Sequence, residues 1–398
     1  MKQSQPNSAC LLCVRMSTMG GILMLTALLG ACGGGSTPPC TNCSAPVSSH
    51  YVFTANAGDA TVSALASDKS SGALTSVSGS PFTGGSGALA LAVAAPGAHI
   101  YVANALSGNI SGFTIDDKTG RLSGVPGSPF AAEVGINSLA IDSTGKFLYA
   151  VSQNSANLLT FSISSNGSLA ISGNPVVFTG WVGTAASSVV IDPTDKYLYV
   201  TAMNSGSGYI YQFGRDIITG TPTPLSSLPT YGQFLYGLAN KSAFDPSGKM
   251  VLATGTQAFG TTGAVQVLTL DSSTGALSLT ANSPVQVGVD PAGVVIDATG
   301  KFVYVPNTAD ATISAFVLDN TGRLTEITGS PFSSGGNGSI RGPLGIATDT
   351  TGHFVFVCNA SNDISVFSIN SATGALSPIT GSPFPAGGHG PSAITFVP

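Results

Sequence analysis

Apolar and polar residues alternate in short runs along most of the chain. The stretch GKFVYVPNTADATISAF, from Gly300 to Phe316, shows the pattern: two runs of aromatic, aliphatic and small residues flank a polar turn. Alternation with a period of two over about four to eight residues is typical of β-strands. This stretch therefore predicts two short strands joined by a turn.

The same pattern recurs along the chain. Close copies of this stretch begin at Ala98, Gly145 and Gly352. Aligned on the strand that follows the Gly-Lys turn, seven copies lie about 50 residues apart, and they begin near His50, His99, Lys146, Lys196, Lys249, Lys301 and His353. A repeat of this length without a helical pattern is typical of β-propeller blades. The sequence therefore predicts an all-β, seven-bladed β-propeller.

Each repeat predicts four antiparallel strands. An apolar strand ends at an Asp-x-x-Gly turn, as in GVVIDATG from Gly293 to Gly300, because Asp favours the start of a turn and Gly accepts positive φ at its end. A GSPF tag closes several repeats and begins at Gly79, Gly127, Gly329 and Gly381. Since proline cannot donate to a strand ladder, we interpret the tag as the end of the outermost strand, with its Phe packed between blades.

The two ends of the repeat region complement each other. The first repeat begins at HYVFTANAGD, which corresponds to a second strand, and the last one ends on GPSAITFVP, an opening strand with nothing after it. Residues Ser392–Val397 are therefore predicted to supply the innermost strand of the first blade. This closure leaves no open blade edge.

Composition supports this architecture and narrows the partners. Charged residues make up 8% of the chain and glycine occurs 51 times, so few residues favour helical faces and many favour tight turns. The hydrophobic share of 43% is ample for a core and argues against general disorder. The net charge is −5 and there is no basic stripe, so we expect no nucleic-acid partner.

Residues 1–31 predict a targeting segment. Lys2 and Arg15 accompany an apolar run, GGILMLTALLGAC, that ends at Cys32 and is too short to span a bilayer comfortably. LLGAC resembles the bacterial lipobox, which implies cleavage before Cys32, lipidation of that residue and anchoring in the cell envelope. Because Gly33 follows, the resemblance favours the outer membrane, with a periplasmic or surface-facing orientation left open. An ordinary signal peptide cut near Ala31 is the alternative.

Residues 32–49 predict a flexible tether, because they are rich in Gly, Ser and Pro and have little to bury. The C-x-x-C formed by Cys40 and Cys43 lacks the following helix of a redox motif and the His of a haem site. We interpret the pair as a small disulfide in an exported linker. Cys358 lies within a predicted strand and is expected to be a buried free thiol. The propeller then spans residues 50–398.

The repeat consensus DPxGKFLYVaN…tGxLtpvxGSPF resembles the seven-bladed β-propeller lactonase family. Its members include 6-phosphogluconolactonase-like and muconate-cycloisomerase-like proteins, and the repeats are also similar to YVTN surface-layer repeats. The resemblance covers about Tyr51 to Pro398 and rests on scaffold positions, which are specific for fold rather than activity. For the enzymatic members it implies chemistry at one mouth of the channel, in the loops that lead into the innermost strands.

The chain departs from the family in these loops. The family often has Gly-Pro-Arg-His before the innermost strand. Here Gly-Pro occurs in GHGPSAI and IRGPLGI, and the prolines are followed by Ser392 and Leu344. Arg341 and His389 precede the prolines, so the family's catalytic assignment is not carried over to them.

Loop residues expected at this mouth supply the candidate chemistry. A lactonase can use a general base to activate water and a cation to stabilise the oxyanion. Glu133 and His389 are the candidate bases, and Arg341 is the candidate cation. The candidate ligand-binding residues are Trp181, Tyr231, Tyr236, Lys241 and Asp290. The charged candidates are equally explained as solvated loop residues, and the aromatic ones as a cap on the channel.

Two functional hypotheses remain. In the first, a monomeric propeller at the cell envelope binds a protein or a glycan on one loop face without catalysis, which the loss of Arg-His and the scarcity of titratable groups favour. In the second, the protein is a lactone hydrolase that acts at the channel mouth. No His, Cys or Asp cluster has metal-ligand spacing, so we expect neither a metal nor another cofactor.

Overall fold

The computed structural model describes residues 50–94, 97–155, 157–177, 185–204, 207–225, 230–234, 238–256, 262–336 and 342–398. Within these ranges the named elements are all β-strands. They form seven antiparallel sheets, numbered here as blades 1 to 7 in chain order. The predicted fold class is therefore confirmed.

Blades 2 to 7 each consist of five consecutive segments, and blade 1 takes its innermost strand from the end of the chain. In chain order the strands are β1 (His50–Asn56), β2 (Thr61–Ser67), β3 (Leu74–Ser76), β4 (Phe82–Thr83), β5 (Ala88–Ala94), β6 (His99–Asn104), β7 (Asn109–Ile115), β8 (Leu122–Gly124), β9 (Phe130–Ala131), β10 (Ile136–Ile141), β11 (Phe147–Ser152), β12 (Asn157–Ile163), β13 (Leu169–Ile171), β14 (Val176–Val177), β15 (Ala185–Ile191), β16 (Tyr197–Asn204), β17 (Ser207–Arg215), β18 (Pro222–Pro224), β19 (Thr230–Phe234), β20 (Leu238–Phe244), β21 (Met250–Thr256), β22 (Gly263–Leu270), β23 (Leu277–Leu279), β24 (Val285–Val287), β25 (Val295–Ile296), β26 (Phe302–Asn307), β27 (Thr312–Leu318), β28 (Leu324–Glu326), β29 (Phe332–Ser333), β30 (Pro343–Thr348), β31 (Phe354–Asn359), β32 (Asp363–Ile369), β33 (Leu376–Pro378), β34 (Phe384–Pro385) and β35 (Pro391–Val397).

The outermost position of each blade is shared by two short segments. In blade 2 the order is β5–β6–β7–β8, and β9 also pairs with β7. The GSPF tag leads from the first of these segments into the second, and its serine accepts a hydrogen bond from the third strand of the blade. The Ser80 hydroxyl accepts a hydrogen bond from the Ala64 N–H at 2.9 Å, and Ser330 accepts one from Ala315 at 3.0 Å. The predicted packing of the Phe between blades is confirmed for Phe82, whereas the tag divides the outermost strand rather than ending it.

The last strand closes the ring as predicted. β35 pairs with β1 in antiparallel fashion, so that Tyr51 lies opposite Val397 and Thr54 lies opposite Ile394. On its other side β1 pairs with β2. The first strand of the propeller therefore lies inside its sheet rather than at an edge.

The hydrophobic core lies between neighbouring blades. Phe53 of blade 1 packs with Val102 of blade 2, and Phe82 of the GSPF tag contacts the same cluster. Similar clusters follow between the other pairs of adjacent blades. Cys358 is a buried free thiol between blades 7 and 1, as predicted, and burial raises its pKa to about 12. Each blade thus buries its faces only against its neighbours in the ring.

Tyrosine hydroxyls join consecutive blades. The Tyr101 hydroxyl donates to the Gly167 carbonyl at 2.7 Å, and Tyr304 donates to Gly374 at 2.9 Å. The accepting glycine lies in the turn before the fourth strand of the next blade, which reads NGSL at Gly167 and TGAL at Gly374. At Gly374 φ is +77°, and a Cβ would lie 2.3 Å from Phe302 Cδ1, so this position requires glycine.

The Asp-x-x-Gly turns are held by their aspartates. Asp297 Oδ1 accepts hydrogen bonds from the backbone N–H groups of Lys301 at 2.9 Å and Phe302 at 2.7 Å. Its Oδ2 accepts a hydrogen bond from the Thr299 hydroxyl at 2.5 Å. The same pattern of acceptance from the turn is found at Asp142, Asp192, Asp245 and Asp349. We call the five turns that these aspartates hold the Asp turns.

Candidate functional site

A central channel runs between the innermost segments of the seven blades. A cavity of about 290 Å³ lies in this channel, and all seven innermost segments contribute to its lining. Ligand pockets usually have volumes of about 300 to 1,000 Å³, so this cavity suits a small molecule.

The innermost segments carry an irregularity near their N-terminal ends. In β5 the register to β6 shifts between Ala88 and Ala90, which leaves Leu89 as an extra residue. Shifts of the same kind occur in blades 1, 3, 4, 5 and 7, and in blade 6 Ala292 follows the isolated bridge of Pro291. A β-bulge re-aims side chains, as is common beside functional sites. We call the residues at these positions the channel ring; from blade 1 to blade 7 they are Ser392, Leu89, Asn137, Ser187, Lys241, Ala292 and Leu344.

Lys241 provides the charge of this site. Its Nζ donates hydrogen bonds to the backbone carbonyls of Asn137 at 2.9 Å and Ser187 at 3.2 Å, the ring residues of the two preceding blades. An ammonium has three N–H donors, so these described contacts leave one for a ligand. Among the described residues that line the cavity, Lys241 is the only ionisable one.

Burial lowers the pKa of Lys241 to about 8. The cause is desolvation, because protein atoms around the ammonium replace water that would stabilise its charge. The amine is therefore mostly protonated at neutral pH and loses its charge within a moderately alkaline range. A lysine of this kind can act as a cation toward a ligand oxygen, and its pKa depends on its surroundings.

Serine side chains accompany Lys241 on the same side of the cavity. The Ser188 and Ser242 hydroxyls lie 3.1 Å apart, and Ser138 Oγ accepts a hydrogen bond from the Val189 N–H at 3.1 Å. Together with Lys241 they join blades 3, 4 and 5 at the channel. We call Ser138, Ser188, Lys241 and Ser242 the polar wall.

The other four blades present a different surface to the cavity. Apart from Ser392, the side chains that they contribute are apolar or absent. The Ser392 hydroxyl already donates to the backbone carbonyls of Ala88 at 2.5 Å and Ala55 at 3.1 Å. We call the apolar set the apolar wall; its members are Leu89, Ala90, Leu91, Ala292, Val294, Leu344, Ile346, Ala393 and Ile394.

Glu133, a predicted base, lies in the segment that joins blades 2 and 3. Its Oε1 accepts a hydrogen bond from Asn157 Nδ2 at 2.8 Å, and its Oε2 accepts one from the Ser155 hydroxyl. Both carboxylate oxygens are therefore engaged by blade 3. These two hydrogen bonds fix the loop that connects blades 2 and 3. Glu133 does not line the described cavity.

His389, the other predicted base, lies beside blade 1. Its backbone N–H and its Nδ1 lie 3.0 and 3.3 Å from Asp59 Oδ2, and its side chain is 77% exposed. The described contacts of His389 and Glu133 share no residue. The structure therefore places the two candidate bases in separate groups of contacts on different blades.

Asp290, a predicted ligand-binding residue, does not line the described cavity. Asp290 is exposed and has a φ of +56°, at the place where other blades have glycines such as Gly87 and Gly390. Asp tolerates this left-handed conformation better than most residues. Tyr231 lies in β19, and its side chain is outside the described part of the structure, as are Trp181, Tyr236 and Arg341. Cys32, Cys40 and Cys43 also lie outside the described residues, so their predicted lipid and disulfide remain predictions.

The serines of the polar wall were missed by sequence reasoning. A signal for them exists in the aligned repeats, where blades 3, 4 and 5 read Asn-Ser, Ser-Ser and Lys-Ser at the bulge. The corresponding pairs of the other blades read Ser-Ala, Leu-Ala, Ala-Gly and Leu-Gly. Three consecutive polar pairs in an otherwise apolar set indicate a local function.

The described ranges also bear on metal binding and on membrane insertion. They contain no group of three His, Cys, Asp or Glu residues that could hold a metal ion. They contain no helix that is long and apolar enough to cross a membrane.

Comparison with known proteins gives one family match. The family described as "Lactonase, 7-bladed beta-propeller" matches residues 46–180 and 285–390, which is more than half of the chain. A search of curated proteins found no significant match.

Solved structures share the fold at low sequence identity. A candidate 6-phosphogluconolactonase from Bacteroides uniformis aligns with a TM-score of 0.73 and 18% identity, covering 88% of this chain and 100% of that one. A second from Bacteroides fragilis has a TM-score of 0.71 and 18% identity, covering 89% and 99%. The periplasmic gluconolactonase PpgL of Pseudomonas aeruginosa has a TM-score of 0.66 and 18% identity, covering 88% and 99%. At this identity the similarity shows the fold alone.

Proposed function

The chain belongs to the seven-bladed β-propeller lactonase family, and we propose that it hydrolyses a lactone in its central channel, with Lys241 stabilising the oxyanion. A lactone is a cyclic ester, and its hydrolysis begins when water adds to the carbonyl carbon. Negative charge then collects on the carbonyl oxygen. A cation fixed at that point stabilises the transition state more than the ground state and so accelerates the reaction.

The observation that carries this proposal is the position of the Lys241 ammonium. It lies at the wall of a cavity of about 290 Å³, held by two backbone carbonyls that fix its direction. These carbonyls carry partial charges only, so the positive charge favours an additional anionic or strongly polarised oxygen. An ammonium oriented in advance needs little reorganisation when the oxyanion forms.

The rest of the reaction follows from the polar wall. The water oxygen bonds to the carbonyl carbon, and the bond from that carbon to the ring oxygen breaks. The ring oxygen leaves as a hydroxyl with one proton of the water, and the product is a hydroxy acid that ionises at neutral pH. In this proposal the hydroxyls of Ser188 and Ser242, which lie 3.1 Å apart beside Lys241, bind and orient the attacking water.

The comparisons favour hydrolysis over the alternative of a non-catalytic binding module. Two similar structures are described as 6-phosphogluconolactonases and one as a gluconolactonase. Nothing in the comparisons favours the binding module. We retain the proposal that the protein works at the cell envelope, anchored through Cys32.

The test is a hydrolysis assay by pH-stat titration with glucono-δ-lactone and with δ-decalactone at pH 7. We expect the purified protein to hydrolyse at least one of them. Replacing Lys241→Met keeps most of the side-chain volume and removes the cation, so the turnover rate should fall about 100- to 1,000-fold, as on loss of an oxyanion donor.

Lys249→Met is the matched control, because Lys249 is an exposed lysine of the same blade. It should leave the turnover rate unchanged, and thermal unfolding should show that both variants fold. No hydrolysis of either lactone by the folded protein would contradict the proposed reaction. Full activity in folded Lys241→Met would contradict the role of Lys241.

A further inference from the structure

We infer that the channel selects lactones with an apolar carbon skeleton over polyhydroxylated sugar lactones. This inference deepens the proposed function and rests on hydrolysis in the same cavity. The feature that carries it is the distribution of polar side chains in the lining: four of them lie on blades 3 to 5, beside Leu139, Val189 and Val190, whereas the remaining blades contribute the apolar wall and Ser392.

The two walls face each other across the channel. In a closed ring of seven blades, blades 1 and 2 lie opposite blade 5, which carries Lys241. Blades 1 and 2 contribute Ala393, Ile394, Leu89 and Leu91 to the cavity. A lactone whose carbonyl oxygen meets Lys241 therefore directs its remaining atoms toward aliphatic side chains.

The single hydroxyl on the opposite side offers little to a ligand. Ser392 directs its one proton to backbone carbonyls of blades 1 and 2, so its hydroxyl is used as a donor within the ring and only its oxygen remains, as an acceptor. The neighbouring ring positions, Leu89 and Leu344, have no polar side-chain atom. Within the described lining, the apolar wall therefore offers no free side-chain donor.

Hydroxyl groups and methylene groups respond to such a wall in opposite ways. A sugar lactone would lose the hydrogen bonds that its hydroxyls make with water and would regain none of them from side chains of the apolar wall, which is costly. An alkyl substituent removes apolar surface from water at the same place and gains about fourfold in affinity for each methylene that is fully buried. The cavity of about 290 Å³ is large enough for a ring and a short alkyl chain only.

The first measurement compares kcat/KM of the unmodified protein for δ-decalactone and for glucono-δ-lactone. We expect a preference of at least about 100-fold for δ-decalactone, because a buried hydroxyl without a partner is strongly rejected. A series of δ-lactones with growing alkyl chains should show rising kcat/KM until the channel is filled. Equal or better hydrolysis of glucono-δ-lactone would overturn the inference.

Variants of the apolar wall give the second measurement. Leu89→Asn and Leu344→Asn each place an amide on that wall. Each should lower kcat/KM for δ-decalactone about tenfold and leave the value for glucono-δ-lactone equal or raised. Leu106→Asn is the control, because Leu106 is 73% exposed and does not line the cavity. An equal loss for both lactones in the folded wall variants would count against selection by this wall.

A binding measurement separates failure of the inference from failure of the proposed function. Isothermal calorimetry with 5-hydroxydecanoate and gluconate, the two ring-opened products, needs no turnover. If neither lactone is hydrolysed but 5-hydroxydecanoate binds more tightly and Lys241→Met abolishes its binding, the hydrolase proposal fails and the ligand class stands. If lactones are hydrolysed and gluconate binds more tightly, the ligand class fails and the hydrolase proposal stands. Binding of neither acid, together with no hydrolysis, would overturn both.

Discussion

The Asp turns and the channel ring belong to the same repeats but follow opposite rules. At the Asp turns, five blades place an aspartate where its carboxylate accepts hydrogen bonds from the turn, and Asp297 is typical. At the channel ring the equivalent residue changes from blade to blade, from Leu89 to Asn137 to Lys241. Repetition at the turns therefore maintains each blade, whereas variation at the ring makes the channel asymmetric.

This difference has a physical basis. A turn aspartate satisfies buried N–H groups of its own blade, so every blade that forms the turn has the same requirement. Five of the seven ring residues line the cavity, and there a ligand or a neighbouring ring residue limits which side chain is allowed. Because of this freedom, a single lysine can occupy one position of the ring without disturbing the blades. Substitutions in either region test this division.

Asp297→Ala should destabilise the fold and leave the channel chemistry intact. The change leaves the N–H groups of Lys301 and Phe302 without their acceptor in a buried turn. We expect the free energy of unfolding to fall by about 3 kcal/mol, measured by urea denaturation. Lys241→Met should show the reverse, with a loss of activity much larger than any change in the free energy of unfolding. If Asp297→Ala abolished activity in the folded state, the separation between the two regions would be wrong.

The activity should depend on pH through Lys241. The charged amine is present below its pKa of about 8 and is lost above it, so the turnover rate should fall about tenfold for each pH unit beyond 8. Titration of Lys241 should also raise the free energy of unfolding as the pH rises from about 8 to 10.5. In that range the lysine is still protonated in the unfolded chain but has lost its proton in the folded protein. Loss of rate with unchanged or rising stability in that range would identify titration rather than unfolding. A flat profile across this alkaline range would contradict the role of the ammonium.

Tyr304→Phe should weaken one junction between blades by about 1 kcal/mol. It removes the hydrogen bond of 2.9 Å to the Gly374 carbonyl and leaves that acceptor buried. Urea denaturation measures the loss, and Tyr197→Phe is a suitable comparison because its hydroxyl makes only a long contact of 3.5 Å. A larger effect on the turnover rate than on stability would show that the junction is coupled to the channel.

Glu133→Gln should have the smallest effect. The amide retains an oxygen for the hydrogen bond from Asn157, so we expect a change of about 0.5 to 1 kcal/mol in the free energy of unfolding. Activity should stay within about twofold, since Glu133 is occupied by blade 3 and does not line the described cavity. A loss of hydrolysis by about two orders of magnitude, the usual contribution of a general base, would restore Glu133 to that role.

Sequence alone predicted the blades better than the site. The repeat period and the unmatched strands at the two ends were sufficient to predict seven blades and the pairing of β35 with β1. The division of the outermost strand at the GSPF tag was not predicted, because it depends on a hydrogen bond from the third strand to Ser80. In the site, Lys241 was named as a ligand-binding residue, but Ser188 and Ser242 were not. An extra residue in a strand reverses which side chains face the channel, and a bulge cannot be seen from alternation alone.

The closure of the ring also determines how the protein can carry mechanical load. The chain joins the propeller at His50, the first residue of β1, and β1 is paired along its length with β2 on one side and β35 on the other. A pull on the segment before His50 is therefore resisted in shear by two ladders at once, whereas an edge strand would oppose it with one. If the proposed tether precedes His50, a load on it is shared by both ladders of β1.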